Sequence, residues 1–153
     1  MPPPPPRPAT VRVRAFVDGQ NLFYAARKHF DYTHPNYDVL KLATKVVHLE
    51  AGRTLVKVHF YTGLHAQAED AFWHGFWSRK ILAMQHAGIE VFHKPLKYAD
   101  IAIPLPGGGM RTVRRGREKG VDVRLALTWS AWPAAASTTP PSPSVRTPIS
   151  KRR

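Results

Sequence analysis

Val11-Arg-Val-Arg-Ala-Phe-Val-Asp-Gly-Gln-Asn-Leu22 is the stretch on which the fold turns. Val11, Val13, Ala15 and Val17 alternate with Arg12, Arg14 and Phe16, the period of a β-strand. Gly19 breaks the run, and from Asn21 to His29 the spacing predicts a helix with Leu22, Ala25 and Ala26 on one face. The strand stops at Asp18. In an open α/β sheet, ligands bind outside the carboxyl ends of the strands, so a carboxylate there is placed to hold a metal ion. Its other reading is as the cap of the following helix, a role aspartate fills readily. A second acid far along the chain, Asp122 in Lys119-Gly-Val-Asp-Val123, weighs toward the first reading.

Working outward, Asp31-Tyr-Thr-His-Pro35 interrupts the first helix, and a second is expected from about Asp38. It turns Leu40, Ala43, Val46 and Val47 inward, and Gly52 is expected to end it. Leu55-Val-Lys-Val-His-Phe-Tyr61 reads as a buried strand. A long helix is expected from about Ala66 to Ala87. Its stripe of Trp73, Phe76, Trp77, Lys80, Ile81 and Met84 belongs to the core rather than to a base-stacking platform. Ile89-Glu-Val-Phe-His93 is a third strand. Lys97 to Ile103 and Met110 to Arg115 then flank Pro104-Leu-Pro-Gly-Gly-Gly109 as a β-hairpin arm. A last helix spans 119–132, stopped by Pro133. Strands alternating with helices imply a parallel sheet with right-handed crossovers.

The chain divides into a Pro-rich N-terminus (1–10), one domain (11–132) and a tail (133–153) rich in Pro, Ser, Thr and Arg. Both ends are expected to be disordered, the first as a short polyproline II segment. There is no cysteine, hence neither a disulfide framework nor a thiolate metal site, which fits a reducing, cytoplasmic setting. No apolar run approaches the ~20 residues of a membrane helix, and the N-terminus lacks a signal peptide's apolar stretch. A net charge of +13 and a pI near 10.6 favour a polyanionic partner such as nucleic acid. Basic residues cluster at the arm as Lys94, Lys97, Arg111, Arg114, Arg115, Arg117 and Lys119, either a solvated surface or a groove for a phosphate backbone. His65, His74, His86 and His93 show no metal-ligand spacing and read as surface or packing residues.

Asp18-Gly-Gln-Asn21 after a strand, together with Lys119-Gly-Val-Asp122 opening a helix, resembles the NYN domains of the PIN-like nuclease superfamily over Val11 to Leu127. The resemblance implies a three-layer α/β/α sandwich with a mainly parallel sheet, and Mg²⁺- or Mn²⁺-dependent endonucleolytic hydrolysis of RNA phosphodiester bonds. Hard cations of this kind take oxygen ligands, commonly a few carboxylates with water and substrate phosphate. By resemblance, Asp18 and Asp122 are the metal ligands, Asn21 orients Asp18 or a water, Gly120 permits the turn that presents Asp122, and Lys119 contacts phosphate. RNA-binding residues are expected at Lys97, Arg111, Arg114, Arg115, Arg117 and Lys119. A homo-oligomer is left open.

The likeness stops after Leu127. Similar proteins carry another Asp on this helix, where Thr128 stands here, and a further strand ending in an acidic motif. From Thr128 to Arg153 there is no Asp or Glu at all, and five prolines. The family's last strand and helix are therefore expected to be missing. One inserted guanine in a suitably chosen coding sequence converts Leu127-Thr-Trp-Ser-Ala-Trp-Pro-Ala134 into Leu-Asp-Leu-Val-Arg-Leu-Ala-Arg, an amphipathic helix with the Asp restored. A frameshift or truncation is the expectation drawn from it. Three functions follow: a ribonuclease with an incomplete acidic site, a noncatalytic RNA-binding module, or an inactive truncation product.

Overall fold

A computed structural model describes residue 1 and residues 10–131 of the chain. The expectations for the Pro-rich N-terminus at 2–9, for Trp132 and for the tail at 133–153 lie outside these residues. The elements follow as β1 (Val11–Asp18), α1 (Gly19–Phe30), α2 (Val39–Val47), β2 (Arg53–Leu64), α3 (Ala71–His86), β3 (Glu90–Pro95), β4 (Lys97–Pro104), β5 (Met110–Arg117) and α4 (Val121–Ser130). The architecture is mixed α/β. Strands β1, β2 and β3 form a parallel sheet in that spatial order, and β4 and β5 form a separate antiparallel ribbon. Among the described residues no helix is long and apolar enough to cross a membrane.

Register decides what each face of the sheet carries. Phe16, His59 and Glu90 stand side by side across the three strands, as do Asp18, Tyr61 and Phe92. Successive side chains alternate between faces. Ala15, Val17, Val58, Phe60 and Val91 therefore share the opposite face, where α2 and α3 bury them under Val39, Ala43, Trp77, Ile81 and Met84. Phe60 is wholly enclosed. The aromatic stripe of α3 is core, as expected: Trp77 is buried, with Trp73 and Phe76 packed against the cluster. Lys80, half-buried on the same helix, donates from Nζ to the Tyr37 carbonyl at 2.9 Å.

Several boundaries differ from the sequence reading. Helix α3 begins at Ala71, not near Ala66, because Asp70 caps it by accepting the Trp73 N–H at 3.0 Å. The Ala66 N–H is drawn instead to the Tyr98 hydroxyl. Helix α2 ends at Val47, and Gly52 is not its stop. Gly52 (φ 80°) turns the chain into β2, and its carbonyl accepts the Val11 N–H at 2.7 Å. Val46 and Ala25 face solvent, while Val39 is buried instead. Strand β5 runs through Arg117, and α4 opens at Val121, two residues later than expected.

Candidate active site

The end of β1 folds as it does because glycine follows it. A Cβ on Gly19 would press into the Phe60 ring and lie 2.9 Å from the Tyr61 carbonyl oxygen. Only a residue without a side chain lets α1 start this close to β2. Asp18 then serves α1 as its N-cap. Its Oδ1 accepts the Asn21 backbone N–H at 2.9 Å, and its Oδ2 accepts the Asn21 side-chain amide, also at 2.9 Å. Asn21 thus orients Asp18, and the capping reading is satisfied at the same residue. An ionised carboxylate has about four lone-pair sites, so two remain for another ligand.

The residue that sequence reasoning missed is Glu118. It follows β5 at the mouth of the ribbon, with Oε2 only 3.1 Å from where a Cβ on Gly63 would be. Burial, above all, raises its pKa from the usual carboxylate value to about 7; the charge of Asp18 adds to this, the Gly63 backbone amide opposes it, and Asp122 contributes a further rise. The charges of Asp18 and Asp122 thus both reach Glu118 at the carboxyl end of the sheet. A usable signal was present: Glu118 directly precedes the Lys119-Gly-Val-Asp122 motif, an acid enclosed by a basic run.

Asp122 stands in the first turn of α4, where a helix favours negative charge. Gly120 presents it through a left-handed backbone at φ 82°, the conformation glycine tolerates best. The Asp122 Oδ1 accepts the Val123 N–H at 2.8 Å. Lys94 comes to the same corner, its Nζ 3.5 Å from where a Gly120 Cβ would be. The oxygen donors of Asp18 and Asp122 suit Mg²⁺ or Mn²⁺ in kind. Among the described residues, however, no group of three His, Cys, Asp or Glu side chains is gathered closely enough to hold a metal ion. A site built on Asp18 and Asp122 would have to leave the rest of the shell to water and phosphate.

The ribbon divides the expected RNA-binding residues. Lys97 pairs across with Arg117, Ala99 with Arg115, Ile101 with Val113 and Ile103 with Arg111, which puts four cations on one face. Arg114 lies on the other, where Nε donates to Glu69 at 2.6 Å and Nη1 lies 3.5 Å from Asp100. Its guanidinium also stands 5.9 Å from the Tyr98 ring centre. Arg114 links the ribbon to the body through its exposed pair with Glu69 and stands on the opposite face from Arg115 and Arg117, with which the sequence reading grouped it. Lys119 is exposed beside Glu118.

On the same sheet face as Asp18, His59 is buried and stacked on Phe16, with ring centres 4.7 Å apart. Arg14 can only donate, so His59 Nε2 accepts from it at 3.4 Å, which leaves the Nδ1 proton to meet Glu90 at 2.9 Å. Burial lowers the His59 pKa; Glu90 opposes this, while Arg14 and Lys57 add to it. Arg124 of α4 stands over Phe92 at 5.1 Å. His74, by contrast, bonds the His65 carbonyl and plays a local packing part. Comparison of the chain with known protein families, with curated proteins and with solved structures gives no match in any of the three.

Proposed function

We propose that this protein acts on RNA as a metal-dependent endoribonuclease of the NYN, PIN-like type, built as a three-layer α/β/α sandwich lacking its last strand and helix, with its catalysis impaired in this chain. The observation that carries the reading is that the charges of Asp18 and Asp122 both reach Glu118, buried against Gly63 at the carboxyl edge, beside a ribbon with four cations on one face. Asp18 and Asp122 would hold Mg²⁺ or Mn²⁺, which when bound supplies Lewis-acid chemistry at a phosphate. The protein's own groups do the rest. Asn21 fixes the Asp18 carboxylate through both of its oxygens. Glu118, whose pKa is pushed up to about 7, is suited to hold or release a proton near neutrality. Lys119 and Lys94 offer charge to the phosphate. With only two carboxylates for the ion, water is poorly positioned, and small misplacements are costly in rate. A cytoplasmic setting and a homo-oligomer belong to the same proposal.

The test is a paired cleavage and binding assay. This chain is expected to cut RNA weakly or not at all with Mn²⁺ or Mg²⁺, and a frame-corrected version robustly. In the corrected version Asp18→Asn should abolish cleavage while leaving RNA binding largely intact, and adding EDTA should do the same. Normal cutting by Asp18→Asn would remove Asp18 as the central ligand.

A second reading, the noncatalytic RNA-binding module, is favoured by a specific observation: both Asp18 oxygens already bond Asn21, Oδ1 as the helix cap and Oδ2 through the side-chain amide. It wins if the corrected protein binds RNA but never cuts it with either metal. The truncation-product reading draws on the outer edge of β1, which has no strand partner among the described residues, and on exposed Leu127 and Trp129 of α4. Non-cooperative unfolding would support it.

A further inference from the structure

We infer that the face of the β4–β5 ribbon bearing Lys97, Arg111, Arg115 and Arg117 is a docking surface for the phosphate backbones of a base-paired segment, which makes the substrate of the proposed ribonuclease a stem-containing RNA. The inference rests on the RNA reading above and specifies which RNA.

Its first support is charge. All four cations share one face, and the cross-strand pairing is unbroken from Lys97–Arg117 to Pro104–Met110, so no register slip moves any of them to the other face. The acids of this region lie elsewhere: Asp100 and Glu69 both engage Arg114 on the opposite face. Among the described residues no ion pair engages Lys97, Arg111, Arg115 or Arg117, and all four are exposed.

The second support is what the face lacks. Single-stranded nucleic acid is held largely by stacking its bases on aromatic rings. Between the cations stand Ala99, Ile101, Ile103 and Val113, with no ring among them, and Tyr98 lies on the opposite face beneath Arg114. A surface of guanidinium and ammonium groups without rings binds backbone and leaves bases alone. A duplex suits that chemistry, because its bases are already stacked and its two strands together present one charge per ~1.7 Å of axis, about twice the density of one strand.

The third support is placement. The ribbon leaves the body at the carboxyl edge, where Leu96 N–H donates to the Leu64 carbonyl at 2.9 Å and Arg117 immediately precedes Glu118. At about 3.4 Å per residue, the six steps from Arg117 to Arg111 carry the cationic face of β5 roughly 20 Å outward from that edge. A duplex lying along it delivers its end, or an adjoining loop, to Asp18 and Asp122.

The experiment measures binding without divalent metal, in EDTA, by fluorescence anisotropy across a salt series. The probes are a labelled RNA hairpin and an unstructured RNA of equal length. The hairpin is expected to bind about tenfold more tightly, with the steeper salt dependence of a duplex. Arg111→Ala with Arg115→Ala and Arg117→Ala should remove that preference and lower the hairpin's salt slope by about 2 to 3. The matching Arg→Lys triple variant, which keeps the charges, should retain the slope. Circular dichroism on each variant confirms that the ribbon's exposed changes leave the fold intact. A duplex DNA competitor should displace the hairpin, since nothing on the face reads a ribose hydroxyl. Equal affinity for both RNAs, an unchanged slope in the alanine variant, or failure of the DNA to compete would each overturn the inference. The outcomes separate from those of the parent reading: RNA cut but bound equally in either form sinks the docking surface alone. A stem gripped through these arginines but never cut, even by the frame-corrected chain, sinks the nuclease alone.

Discussion

The two faces of the parallel sheet are built on different principles. Under α2 and α3 the sheet presents Ala15, Val17, Val58, Phe60 and Val91 to a cluster that contains no charged side chain. On the other face, Arg14, Lys57, His59 and Glu90 run across the strands, Phe16 stacks on His59, and Arg124 rests on Phe92. The first face holds the fold through buried apolar area, which carries no titrating group. The second holds itself through charges and oriented hydrogen bonds, and it leads directly to Asp18. Apolar packing and charge are thus assigned to opposite sides of one three-stranded sheet.

The contrast can be broken most forcefully at Phe60. Phe60→Ala should cost about 3–5 kcal/mol, because a wholly enclosed ring leaves a cavity behind. Phe16→Ala on the other face should cost no more than about 2 kcal/mol, since that ring is only half-buried. Urea unfolding of both variants checks the difference, and equal losses would erase the distinction between the faces. Gly19→Ala should follow, at about 1–3 kcal/mol, because its methyl meets Phe60 and the Tyr61 carbonyl.

A smaller effect sharpens the comparison: pH sensitivity should come from the charged side. Glu118 holds its proton up to about 7 in the folded protein against 4.5 ordinarily. Its contribution to stability is therefore full below 4.5 and lost as pH rises through about 7. His59 acts in the other direction. With its pKa lowered from 6.5, it contributes above that value and loses the contribution as pH falls toward the folded value. Melting temperatures in metal-free buffer test both. Glu118→Gln should gain on the parent as pH rises from 4.5 to about 7. His59→Gln should gain on it below 6.5. Parallel curves for either variant would mean that its group does not titrate with folding.

Much of the scaffold was legible in the chain. A period of two ending at Asp18-Gly19 and a helical period from Asn21 left little alternative to a strand turning into a helix. The stripe on α3 likewise announced a core, because Trp77, Ile81 and Met84 recur on one side of a helix. Helix ends were harder to place. Asp70 caps α3 through a side-chain bond that periodicity does not report, so the apolar pattern alone started the helix early. Between the two motifs lay Glu118, which neither of them announced. Glu118 acquires its environment from Gly63, far back in the sequence, whose missing side chain makes room for it. Arg114 and Arg115 are neighbours in sequence and opposites in space, and only the pairing with β4 shows which of them is spent on Glu69.

The turn between β4 and β5 has a consequence for the chemistry of handedness. Gly107, Gly108 and Gly109 adopt φ values of 100°, 95° and 99°, and a Cβ at any of them would meet nothing within 4 Å. Space is free there, while the backbone shape is one that L-residues resist. A mirror-image residue has the opposite preference and would find both conditions met. A semisynthetic chain carrying D-alanine at these three positions should close the same ribbon and lose less freedom on folding than glycine does. Its L-alanine counterpart, identical in composition, should open it.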